Sequence, residues 1–229
     1  MKKYITLLAG MLLITYFFIN SCHKESLPSN VGIKTSFTEE FENVGILENK
    51  GWAFLDNSTS SGGGPYAYWS QGTFGQDKAG TWYGFTAYSY STDIREYAYS
   101  QATSSTSAIS VSGWMITPTL SVKNGDKISF YTRCDTAAPC ANRMQVRLAN
   151  SSSTGLGISA MSTGNFSTIL FDINSNQAIG GFPINWTKYE YTFSGISGNR
   201  DVRIGFRHYF SNLSQPRGVG VDLFKFEVN

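Results

Sequence analysis

Along much of this chain apolar and polar residues alternate one by one. Ile128 and Phe130 fall on one side of a stretch whose other side carries Lys127, Ser129, Tyr131 and Arg133. Met144, Val146 and Leu148 alternate with Arg143, Gln145 and Arg147, and Val202, Ile204 and Phe206 alternate with Arg203, Gly205 and Arg207. A period of two with one apolar side is what a half-buried antiparallel strand requires. The pattern predicts strands over 35–43, 51–55, 66–70, 80–89, 98–103, 108–117, 127–134, 143–150, 167–173, 187–194, 201–210 and 218–228. Gly, Asn, Ser and Pro separate them at spacings of roughly ten residues, as in a two-sheet antiparallel β-sandwich or jelly roll.

The organising stretch is 112–133: an apolar run, Pro118, an Asn124-Gly125-Asp126 turn and an alternating strand. Pro118 reads as the break that lets the chain cross between sheets. No amphipathic helical stripe persists over three turns, and 43–50 has room for one short helical turn at most. The fold class expected is therefore all-β. Asn57 to Gly64 and Ser151 to Gly157 are loops by composition.

The chain opens differently. Lys2 and Lys3 precede an apolar run from Tyr4 to Ile19 that ends at Asn20-Ser21-Cys22, the layout of a signal peptide. A small residue before Cys22 makes it similar to a bacterial lipoprotein signal. The organisation expected is a signal peptide over 1–21, an acylated Cys22 with a polar tether over 22–34, and one domain over 35–229. Acyl chains would then hold the domain at the outer membrane or cell surface of a Gram-negative bacterium, with no spanning segment. Removing Lys2 and Lys3 from the 18 basic residues leaves as many as the 16 acidic ones, and no basic surface asks for nucleic acid. The basic positions in 133–147 and 200–217 read as solvated strand faces. Cys134 and Cys140, so close together in an exported chain, are expected to form a disulfide closing a short loop.

Catalytic signatures are missing from the sequence: there is no Gly-x-Ser-x-Gly elbow, no His-Glu-x-x-His and no phosphate-cradling glycine loop. His208 keeps phase with Val202, Ile204 and Phe206 and reads as a core residue. The expectation is a protein that is not an enzyme. Two features could bind something instead. Between residues 66 and 99 the chain carries eleven aromatic residues, in both phases of the alternation. Some of these rings should be exposed, where they can stack on sugars. Trp69, Trp82, Tyr83 and Tyr88 are the candidates. The second feature is charge: Glu39, Glu40 and Glu42 open the domain, and Asp222 lies in a closing strand that is apolar in both phases. Asp222 keeps phase with Phe224, Phe226 and Val228, and a buried carboxylate needs a partner. Hydrogen bonds, an arginine or a calcium ion would each serve, and first and last strands lying side by side would bring Glu40 to Asp222.

The ordered set of motifs resembles the choice-of-anchor J domains, relatives of the cleaved-adhesin and MAM-like jelly rolls. The carriers are Phe37-Thr38-Glu39-Glu40-Phe41-Glu42, Gly51-Trp52, Gly113-Trp114-Met115-Ile116-Thr117-Pro118, Ile128-Ser129-Phe130-Tyr131, Met144-Gln145-Val146-Arg147-Leu148, Arg203-Ile204-Gly205-Phe206-Arg207 and Gly220-Val221-Asp222. The resemblance implies a jelly roll on secreted or envelope-anchored bacterial proteins, without catalysis of its own. The function expected is that of an adhesion or binding module for a glycan or an extracellular protein; the alternatives are a structural or assembly subunit of an envelope complex and, behind it, a glycan-degrading enzyme. The resemblance also implies structural Ca2+ held by Glu40, Glu42 and Asp222. Asp222-Leu223 departs from the Asp-Asn or Asp-Asp of that family, which removes one oxygen ligand.

Overall fold

The alternating stretches become strands that pair into two antiparallel six-stranded sheets laid face to face. The computed structural model describes residues 31–59, 68–76, 78–80, 82–101, 110–135, 140–211 and 217–229. The expected signal segment and Cys22 lie outside these residues, and so does the side chain of Trp82. The strands are β1 (Phe37–Glu39), β2 (Ala53–Asp56), β3 (Trp69–Gln71), β4 (Phe74–Gln76), β5 (Trp82–Gly84), β6 (Ala98–Ser100) and β7 (Ser110–Ile116). They continue as β8 (Leu120–Val122), β9 (Lys127–Cys134), β10 (Met144–Ala149), β11 (Thr168–Ile173), β12 (Thr187–Thr192), β13 (Arg200–Ser211) and β14 (Val219–Glu227). The first sheet runs β12-β9-β14-β6-β3 with β1 also on β14. The second runs β11-β10-β13-β7-β2 with β8 also on β13, and β4 and β5 form a separate hairpin.

The inward residues are those of the apolar phase. Phe130 on β9 meets Phe206 on β13 edge-to-face at 5.0 Å, and Phe206 meets Phe224 on β14 at 6.0 Å. Such crossed pairs add about 0.5–1.5 kcal/mol each beyond the area they bury. Ile128, Met144, Val146, Val202 and Ile204 complete the layer with no exposure.

Four expectations are corrected. The seven residues Val44–Lys50 form a 3₁₀ helix longer than one turn, with the Asn43 side chain accepting from the Gly45 N–H and Gly51 closing it at φ 87°. The chain does not change sheets at Pro118, because β7 and β8 both pair with β13, along different parts of its length. The crossing falls at the following turn, where Gly125 takes φ 92° and the buried Asp126 accepts from the Lys123 N–H. Strand 80–89 is short: after β5 the chain leaves pairing and folds over the first sheet.

The fourth correction concerns the basic face. The polar phase of β10 and β13 is largely covered, because residues 151–166 lie across it and leave part of Arg143, Arg147 and Arg203 in solvent. Leu156 and Phe166 pack on Trp114 and Ile116 there as a second small core. Arg207 is 2% exposed beneath this cover. Its guanidinium donates to Ser112 Oγ at 3.0 Å, to Gln145 Oε1 at 2.9 Å and to the Ala160 carbonyl. The rings of Trp114 and Tyr209 lie against it at 5.2 and 3.8 Å. Burial lowers its pKa to about 10. The arginine is therefore a rivet between sheet and cover.

Candidate ligand-binding face

The outward phase of the first sheet begins with missing side chains. Gly220, opposite Arg133 in the pairing of β14 with β9, has an outward phase filled by other residues. A Cβ on Gly220 would come within 2.7 Å of the Phe85 ring and 3.0 Å of Trp186. One on Gly218 would collide with the Tyr99 phenol. These glycines form a trough into which Phe85, Tyr97, Tyr99 and Trp186 pack, Phe85 stacking on Tyr97 at 4.7 Å. Arg133 lies over the Phe85 ring at 4.6 Å. Segment 85–97 thus covers the outer face of this sheet as 151–166 covers the other.

The segment has its own ties. Ser91, Thr92 and Asp93 donate backbone N–H groups to the Glu96 carboxylate, and the Trp186 indole donates to the Thr86 carbonyl at 2.9 Å. It is tied to the sheet through Gln71 on β3, whose Nε2 donates to the Arg95 carbonyl at 2.7 Å, and through Asp222. Pairing of β14 with β9 slips by one residue between Asp222 and Lys225, and Leu223 sits at φ 47° in this bulge. The slip reverses the phase. Asp222 does not share a face with Phe224 and Phe226, as the alternation suggested; it points outward beneath the cover while the two rings point into the core. Its Oδ2 accepts from the Tyr88 N–H at 2.8 Å and the Ser89 N–H at 3.0 Å, and its Oδ1 from the Leu223 N–H at 2.6 Å. Burial outweighs these donors and pushes the carboxyl pKa up to about 7, with Glu40 adding to the rise.

That anchor fixes Tyr88. Its ring stacks on Tyr131 with centroids 3.7 Å apart and planes 15° off parallel, and the two hydroxyls lie 3.1 Å apart. The shared hydroxyl contact raises the Tyr88 pKa. One face of Tyr88 is taken by Tyr131, yet the residue is 45% exposed, so its other face is open to solvent. Tyr83 is also exposed, on the β4–β5 hairpin, where the next residue, Gly84, donates its N–H to Asp135 just past the end of β9. From Tyr131 to Asp135 is four residues, about 13 Å of strand.

The expected site residues divide accordingly. Tyr88 is exposed on this face, and Tyr83 is exposed on the separate β4–β5 hairpin. Trp69 is not: it is 1% exposed, and its indole donates to the Gly113 carbonyl of β7 across the sandwich at 3.1 Å. Its position on β3 puts it in the inward phase. Sequence reading missed Tyr131, which it assigned to a solvated face, and the only signal was a tyrosine in that outward phase.

The carboxylates expected to hold calcium do not gather. Glu40 is near enough to act on Asp222, but Glu42 lines a separate depression with Gln71, Asp93, Arg95 and Glu96. Both Asp222 oxygens already receive N–H groups. Among the described residues no three His, Cys, Asp or Glu side chains are placed to hold a metal ion. This donor set does not fit a calcium cage.

His208 is fully buried, and burial lowers its pKa to about 3. The Asn142 amide N–H donates to its Nε2 at 2.5 Å, which leaves Nδ1–H to donate to Ser100 Oγ at 2.9 Å. The imidazole is a neutral structural bridge. The disulfide expected between Cys134 and Cys140 is not formed; both are free, buried thiols hydrogen-bonded to one another. That contact and burial raise the Cys134 pKa.

No protein-family model matches the chain, and no curated protein is similar to it. Among solved structures the chain is similar to the K1 cleaved adhesin domain of Lys-gingipain from Porphyromonas gingivalis W83, at 17% identity over 85% of this chain and 99% of that one, with a TM-score of 0.47. The K2 cleaved adhesin domain of Lys-gingipain matches at 17% identity over 85% of this chain and 100% of that one, with a TM-score of 0.48. A family 11 carbohydrate-binding module from Clostridium thermocellum, solved with a β-1,3-1,4-mixed-linked tetrasaccharide, is similar at 16% identity over 85% and 96% of the two chains, with a TM-score of 0.33. The likeness to cleaved adhesin domains is the one the motifs led to expect, and it concerns the fold alone. The choice-of-anchor J label has no counterpart among these structures.

Proposed function

We propose that this chain is a non-catalytic binding module of the cell envelope that seats a glycan on the open face of Tyr88. The observation that carries this reading is a preordered aromatic platform: a ring held by its own backbone N–H on Asp222, backed by Tyr131, and open on the other side. A planar ring already fixed in place loses little freedom on binding, which favours stacking against a sugar ring. Acylation of Cys22 would keep the module at the membrane surface, and replacing Cys22 by Ala should then release it into the soluble fraction. A glycan array with the wild type and Tyr88→Ala tests the platform. Hits that disappear in the variant support the reading; no hits, or hits indifferent to Tyr88, overturn it. Contact with an extracellular protein is a second reading, favoured by Ile158 and Met161, 101% and 74% exposed on the cover of the other sheet.

A further inference from the structure

The charges beside the platform are two ammonium groups on opposite sides of it. Tyr131 on β9 lies directly across from Lys188 on β12, while Lys225 on β14 lies across from Ser129, one outward step away along the same strand. Both lysines act electrostatically on the Tyr88 phenol. Of the acidic groups nearby, Glu190 and Asp222 are engaged, while Glu227 acts on Lys188 and Glu40 acts on Asp222. Glu190 is shared by Lys188 at 2.9 Å and Lys127 at 3.4 Å, one negative charge between two positive ones. Asp222 is buried under the cover with its oxygens on three backbone N–H groups. Glu227 lies across from Lys127, two outward steps from Tyr131. The platform is therefore bracketed by Lys225, which makes no salt bridge among the described residues, and Lys188, which shares Glu190 with Lys127 and also feels Glu227.

From this bracket we infer that the glycan taken by the Tyr88 platform is anionic, with its sugar ring on Tyr88 and its carboxylate or sulfate between Lys188 and Lys225. This inference rests on the glycan-binding reading above. A neutral sugar would leave both ammonium groups without use, whereas an acidic one meets them at the edge of the ring it stacks on.

The test is titration calorimetry of the whole chain with polygalacturonate, a sulfated galactan and a neutral galactan, at low and high salt. At least one acidic polymer should bind tenfold or more tightly than the neutral one, and weaken as salt rises. The double variant Lys188→Gln, Lys225→Gln should erase that advantage while leaving the melting midpoint near the wild-type value, since both side chains are on the surface. A second double variant, Lys34→Gln with Lys123→Gln, changes two lysines bordering a separate depression and should bind as the wild type does. The carboxylated and sulfated arms show which anion is preferred. Equal binding of neutral and acidic polymers, or equal losses in the two double variants, overturns the inference and leaves glycan binding standing. Failure to bind any glycan removes the glycan reading itself and this inference with it.

Discussion

Asp222→Asn should change how stability depends on pH. In the folded chain the carboxyl titrates near 7 instead of near 3.8, because burial disfavours its charged form. Between those two values the folded chain keeps a proton that the unfolded chain has released. Stability from this group is thus complete below pH 3.8 and is lost as pH rises through about 7. At about 1.4 kcal/mol for each tenfold change in proton activity, the window amounts to roughly 4 kcal/mol. Asparagine cannot ionise, so this slope vanishes. Its Oδ1 can still take the Tyr88 and Ser89 N–H groups, but its amide nitrogen then faces the Leu223 N–H, a donor against a donor costing about 1–3 kcal/mol. The variant should therefore be less stable than the wild type at pH 4 and equal or more stable at pH 8. Urea denaturation followed by tryptophan fluorescence across that range, with and without a chelator, measures both curves. Other groups titrate alike in the two proteins and drop out of the difference. A difference that stays constant from pH 4 to pH 8 would refute the account of Asp222. A wild-type curve that flattens only when calcium is present would show a cation on this carboxylate.

Arg207→Met tests the rivet under the second cover. Ser112 Oγ and Gln145 Oε1 keep other donors, from Trp114 and Arg147, so the Ala160 carbonyl alone is orphaned, at about 1–3 kcal/mol. Urea unfolding should show that loss, with faster proteolysis in 151–166; a variant as stable as the wild type would mean that burying the charge cost as much as its bonds returned. Gly220→Ala should lift Phe85 and Trp186 from the trough, at about 1–3 kcal/mol for overpacking. Tryptophan emission should shift to the red, and an unchanged spectrum with unchanged stability would count against the trough. Mild oxidation by a disulfide donor should join Cys134 to Cys140 within one chain, adding about 2 kcal/mol. Mass spectrometry under denaturing conditions detects the loss of two hydrogens; two thiols that remain reactive would refute the adjacency.

The sandwich could be read from the sequence because its long strands, β9, β10 and β13, alternate cleanly on the side facing the core. What alternation cannot report is whether the other side meets water. Gln145 and Arg207 look like solvated positions and are buried, since a polar-looking loop of serines and glycines folds back over them. Trp69 fails in the opposite direction: amid so many aromatic residues nothing local distinguishes a ring in the inward phase of a three-residue strand from an exposed one. Asp222 was recognised as a carboxylate in need of partners. Its partners were not legible, because a one-residue bulge sets which way it points and two of the three N–H groups come from a segment more than a hundred residues earlier.

The single carboxylate beneath Tyr88 and Ser89 gives the binding face its own equilibrium. Segment 85–97 shares little with the main core, so it can open while the two sheets stay closed, with a free energy below that of global unfolding. Affinity for any ligand on Tyr88 is then scaled by the fraction of molecules with the segment seated. Substitutions at Asp222 or in the glycine trough will therefore weaken binding without touching the ligand. Amide exchange at Tyr88 and Ser89, faster than in β9 and β13 and slowed by ligand, reads that fraction directly.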